Sequence, residues 1–255
     1  MAATRSNSFP RSSRQHPLAT EVNEHLNRLR ASKEASTSSS SISHKLNGFQ
    51  DLYNCVVKFL QLPLSHHALA HECADELLDG SLRLLDLCST AKDIVLQTKE
   101  SASELQSAFR RRKIGEAEIA SEVRKYMSSR KVAKKTIHKA LGNLKVIQRK
   151  NTVSPSETVS MLKKIEVVIC FVFEDLLSLI SGPKLGNARR NVNEFEKVDV
   201  ALKSFGITKS EIINLEIQNQ LKDLELFIQD LEDGLEYLFR CMIKARVSLL
   251  NILTL

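Results

Sequence analysis

Between Thr208 and Leu255 the apolar residues recur at Ile217, Leu221, Leu224, Ile228, Leu231, Leu235, Leu238, Met242, Ala245, Leu249 and Ile252. The steps alternate between four and three, a period of about 3.5 that keeps one seam of a helix facing a partner along its length. Thr208 and Glu211 have capping-box spacing, and Ile207 and Ile212 stand where a hydrophobic staple would close the start. Unbroken, such a helix would measure roughly 70 Å, whereas a compact chain of this length has a radius of gyration of only about 18 Å. The molecule is therefore expected to be elongated, or the helix to break at Gly234. Leu226, Phe227, Phe239, Leu250 and Leu253 widen the apolar surface beyond a coiled-coil stripe. That places the helix inside its own bundle ahead of a homo-oligomer seam, although homo-oligomerisation stays open.

The rest of the chain reads as helix too. Only eight Gly and five Pro, no Trp, and no alternating Val/Ile/Thr run bounded by turns argue for an all-α fold. Leu46, Phe49, Tyr53, Val56 and Leu60 mark a helix ending before Pro63, after which Ser65 can cap the next. That second stripe runs from Leu69 to Phe109, with Asp79-Gly80 as its weak point. A third carries Ala120, Val123, Met127, Ala133, Ile137, Ala140, Leu144 and Ile147. A fourth opens on Ser154-Pro155-Ser156-Glu157, is apolar on several faces, and stops at Gly182-Pro183. The expected architecture is an elongated up-and-down bundle of about four long helices over 46–255, with 184–206 as a polar connector. Residues 1–45, rich in Ser and Arg, are expected to be mostly a disordered tail, with a short amphipathic helix around Leu18–Leu29 left open, Leu18, Val22, Leu26 and Leu29 on one face.

No catalytic constellation is visible, and neither a metal nor a cofactor is expected. The five cysteines form no CxxC pair and mostly sit at helical apolar positions, as small hydrophobes. His66, His67, His71 and Cys73 have metal-ligand chemistry but no matching second half. Acidic pairs such as Asp75/Glu76 and the trio Asp230, Glu232 and Asp233 lack a nucleophile or histidine beside them, which leaves a solvated helix face. The longest apolar run, Val167–Phe173, is far short of the ~20 residues of a membrane span. A cytoplasmic or membrane-peripheral location is expected, with plastid and nucleus left open by the Arg/Ser-rich, acid-poor tail and the basic centre.

Charge is concentrated: residues 103–150 hold 14 basic and 4 acidic side chains, more than the whole chain's net +7. Arg110, Arg111, Arg112 and Lys113, then Arg130, Lys131, Lys134, Lys135, Lys139 and Lys145, make a strongly cationic helix face. Four readings compete: a solvated face paired with neighbouring acids, an anionic membrane surface, a protein partner, or nucleic acid. Nucleic acid is the weakest of these, since Phe109 and Tyr126 are the block's only aromatics. In the tail, Arg5-Ser6-Asn7-Ser8-Phe9-Pro10 has the Arg-Ser-x-Ser-x-Pro pattern read by phosphoserine-binding adaptors of the 14-3-3 kind.

The stretches Arg5–Pro10, His16–Leu18, Leu77–Cys88, Leu105–Arg112, Glu122–Lys131, Gly234–Arg240 and Arg246–Leu253, taken in order, resemble the land-plant BYPASS-type family. The resemblance covers nearly the whole chain. It implies a helical protein linked to root and shoot development, without an assigned enzymatic activity or cofactor. The expectation is a non-enzymatic helical scaffold or signalling adaptor whose protein partners are unknown. The alternative is a peripheral membrane regulator that binds anionic lipid through the helix at 110–150. For the tail motif, wild-type protein phosphorylated at Ser8 is expected to retain a 14-3-3-type adaptor in a pull-down, and Ser8→Ala to lose it. Equal retention by the two would remove the motif from consideration.

Overall fold

The computed structural model describes residues 16–32, 39–70, 74–111, 115–148, 156–182, 192–205 and 211–253. They form α1 (Pro17–Ala31), α2 (Ser39–Leu60), α3 (Pro63–Ala70), α4 (Ala74–Arg110), α5 (Glu116–Gln148), α6 (Glu157–Ser181), α7 (Glu194–Phe205) and α8 (Glu211–Leu253). No strand occurs among the described residues, so the all-α expectation holds. The expectation of about four long helices is incomplete: α4, α5, α6 and α8 are long, but eight helices occur among the described residues, and α2 with the short α1, α3 and α7 completes the core around them.

The seam of α8 is buried at every position from Ile217 to Ile252, covered by α4, α2, α7 and α3 of the same chain. The helix runs through Gly234 without a break, so of the two expected outcomes the long rod is the one realised. Gly234 serves a different purpose. A Cβ there would stand 3.0 Å from Leu46 Cδ1, so the missing side chain lets α2 lie close against α8. The capping box at Thr208 and the start at Ser154-Pro155 lie outside the described residues.

Polar pairs set the register of α4 on α8. Lys92 binds Glu236, Lys99 binds Glu232, and Gln106 donates to Glu225. One partner number rises as the other falls, so the two helices are antiparallel. At one end of the pair, Arg246 Nη1 donates to the Leu78 carbonyl at 2.5 Å and to Ser81 Oγ at 2.6 Å. α6 packs on α4 across Gly80, where a Cβ would come within 2.8 Å of Glu166 Oε2. The expected weak point at Asp79-Gly80 is thus a contact point inside a continuous helix. Burial raises the Glu166 carboxyl above the usual range, and the Arg83 guanidinium, 3.7 Å away, opposes the shift. Lys45 of α2, almost wholly buried, donates to Asp175 of α6 at 2.8 Å, a charge brought in only with its partner.

Three expectations are corrected. The disordered tail does not extend over all of 1–45: the alternative of a short amphipathic helix around Leu18–Leu29 is realised as α1, Pro17–Ala31, and α2 begins at Ser39 rather than at 46. Pro17 occupies the first helical turn, His16 Nδ1 accepts from the Leu18 amide, and Val22, Leu26 and Leu29 are buried in the common core. The connector at 184–206 contains α7, which buries Phe195, Val198 and Leu202. Asn193 caps it, its Oδ1 accepting from the Glu196 amide while its Nδ2 donates to the Leu179 carbonyl of α6. Ser65 does not cap α3, which starts at Pro63. Its hydroxyl donates back to the Phe59 carbonyl at 2.7 Å and fixes the bend after α2.

Because the Leu231 side chain is fully enclosed, Leu231→Ala is expected to cost about 2–5 kcal/mol in urea denaturation. Leu226, 61% exposed on the same helix, should tolerate the same change within about 0.5 kcal/mol.

Candidate functional site

The basic block separates into three kinds of side chain. Arg110 and Arg111 are exposed at the end of α4, while Arg112, Lys113 and the side chain of Lys145 lie outside the described residues. Lys131, Lys135 and Lys139 are exposed on α5, and none of them makes an ion pair among the described residues. Arg130, expected on the cationic face, is 2% exposed.

Burying a guanidinium requires that its donors be met, and two neighbouring helices meet most of them. Arg130 Nε donates to Asp199 Oδ1 at 3.2 Å, and Nη2 to Asp199 Oδ2 at 3.4 Å. Nη2 also donates to the Ile180 carbonyl at 2.7 Å, in the last turn of α6, where the helix dipole favours a cation. The guanidinium carbon lies 5.0 Å from the centroid of the Phe195 ring. Lys134, one turn along, adds a second cation to Asp199 at 3.0 Å. Arg130 is thus the clasp that joins α5, α6 and α7. One donor stays unmet, because Nη1 is buried with no hydrogen-bond partner, as is Tyr126 Oη one turn earlier. Burial also raises the Tyr126 hydroxyl's pKa, so it remains a neutral phenol.

Outside the clasp, α5 and α7 leave a groove of about 750 Å³, lined by Met127, Arg130, Lys131, Lys134, Lys135, His138, Asp199 and Lys203. Five cationic side chains therefore surround one carboxylate, which is already shared between two of them. A second depression of about 540 Å³ between α4 and α5 takes Lys139 together with Arg83, Thr90 and Thr136. The exposed Lys139 accordingly belongs to another face than Lys131 and Lys135.

The thiols behave as hydrophobes. Burial pushes Cys88 and Cys170 up to about 12 and Cys55 up to about 11, the last helped by Glu21. Of the histidine cluster, His71 and Cys73 lie outside the described residues. A different trio meets elsewhere: Glu21 and His25, one turn apart on α1, face Cys55 of α2, with ligand-type atoms within 4.8 Å of one another. The Glu-x-x-x-His spacing was readable, but nothing in the sequence joins it to a cysteine 30 positions on. No helix among the described residues is long and apolar enough to cross a membrane.

Removing one partner of the clasp leaves a buried charge, so Asp199→Ala is expected to lower stability by about 3–5 kcal/mol in urea denaturation. Replacing both, as Arg130→Met with Asp199→Leu, should recover most of that loss. A double variant as unstable as the single one would show that packing around Asp199, and not charge pairing, holds α7.

Comparison with known proteins supplies a family match. A search of curated proteins and a search of solved structures return none. The family described as Protein BPS1 matches over residues 45–252, from the Lys45 of the α2–α6 ion pair to the last buried seam residue of α8, Ile252. With the clasp, the seam and every described helix but α1 inside or overlapping that span, the chain belongs to the BPS1 (BYPASS) family.

Proposed function

We propose that the protein is a non-enzymatic helical scaffold or signalling adaptor that acts in plant root and shoot development through helix–helix contacts with other proteins. Membership of the BPS1 family suggests the plant developmental role. The observation that supports the scaffold is the outer face of α8. Opposite the buried seam, Leu215, Leu226, Tyr237, Ile243, Val247 and Leu250 are all exposed. Ile243, Val247 and Leu250 stand at i, i+4 and i+7 near the end of the helix and so lie side by side, whereas Leu215, Leu226 and Tyr237 are eleven residues apart with charged residues such as Lys222 and Asp233 on the same face. Scattered exposed apolar residues are ordinary, but Ile243, Val247 and Leu250 have the neighbour spacing that a partner's amphipathic helix recognises.

Charge substitution on this patch tests the reading without touching the core. Ile243→Glu with Val247→Glu is expected to leave the melting temperature nearly unchanged. It should also remove a defined set of partners from affinity purification of tagged protein in root tissue, as read by quantitative mass spectrometry. Light scattering of wild-type and variant protein separates a partner protein from a second copy of the chain. An unchanged partner set and an unchanged particle mass would overturn the proposal.

A further inference from the structure

We propose that the groove between α5 and α7 is a binding site for a small polyphosphate group, of the kind carried by an inositol phosphate or a phosphoinositide headgroup. The site is independent of the outer face of α8. Its charge is the first argument. Asp199 is used by Arg130 and Lys134, so Lys131, Lys135 and Lys203, all exposed and without an ion-pair partner among the described residues, present uncompensated ammonium groups around one concavity. Lys131 and Lys135 stand one turn apart on α5, and Lys203 reaches in from α7. Separated point charges of this kind suit a ligand with several anionic centres better than a single carboxylate.

The second argument is the groove's inner wall. Arg130 lines it, and the guanidinium keeps Nη1 buried without an acceptor. The clasp as a whole, two cations on the one carboxylate of Asp199, leaves a net positive charge behind the groove's lining that adds to the field of the three lysines. Size agrees as well, since about 750 Å³ lies within the usual range for small-ligand pockets. Nucleic acid fits less well, because no Phe, Tyr or Trp lines the groove for a base to stack on.

Isothermal titration of the full chain with myo-inositol hexakisphosphate tests the site. The exposed lysines can be changed without opening the clasp, so the informative variant is Lys131→Gln with Lys135→Gln and Lys203→Gln. It is expected to keep the wild-type melting temperature and to bind at least about tenfold more weakly. A charge-matched control, Lys58→Gln with Lys222→Gln and Lys244→Gln on other exposed surfaces, should bind within about twofold of wild type. Vesicles containing phosphatidylinositol bisphosphate then separate the two sources. Binding that soluble inositol phosphate displaces points to a lipid headgroup, and binding of the soluble compound alone points to a free metabolite. Equal losses in the two triple variants, no binding of either probe, or equal binding to phosphatidylserine vesicles of matched charge would overturn the site. None of these outcomes alters the α8 patch or its partner set.

Discussion

A helix of 43 residues whose seam is apolar from end to end cannot stand in water, and the rest of the structure follows from covering it. α4 answers with a matching length and an antiparallel register fixed by Lys92, Lys99 and Gln106. α2 reaches the same seam because Gly234 removes the obstacle to Leu46. α7 adds further cover, its Phe195 packing edge-on against Phe227 at 5.9 Å between centroids. The short helix cannot hold that place by area alone. Arg130 supplies the anchorage, tying it through Asp199 to α5 and to the end of α6.

Periodicity made the long helices legible because each repeats its apolar pattern for several turns, and the seam from Ile217 to Ile252 is buried as its spacing requires. α1 and α7 were harder to read for a common reason. Each has only three or four inward side chains, set among Ser-, Arg- or Asn-rich segments whose composition dominates any long window. The stripe of Leu18, Val22, Leu26 and Leu29 was visible in the sequence, but its docking on α2 and α6 depends on a surface that does not exist until those helices pack. Gly80 and Gly234 looked like places where helices weaken. They are places where neighbouring helices come close, a distinction that requires the neighbour.

The basic face shows the limit more sharply. Arg130 and Lys131 are adjacent in sequence and carry the same charge, yet one is a buried clasp and the other a free surface cation. What separates them is Asp199, 69 positions away on a helix expected to be connector. A charge run therefore overstates the number of cations available to a partner. The face divides between internal pairing, the groove shared with α7, and the separate depression around Lys139.

The position of α8 in the chain has a consequence for biosynthesis. The sides of α2 and α4 that it covers leave the ribosome first and wait for it. Between Leu60 and Glu211 lie some 150 residues, which at about 5–20 residues per second amounts to roughly 8 to 30 s of translation. Throughout that interval the growing polypeptide displays long apolar stripes with no native cover, and contacts so distant in sequence are slow to form. Chaperone occupancy on the nascent chain should therefore rise once α4 has emerged and fall only when the last 43-residue helix is released.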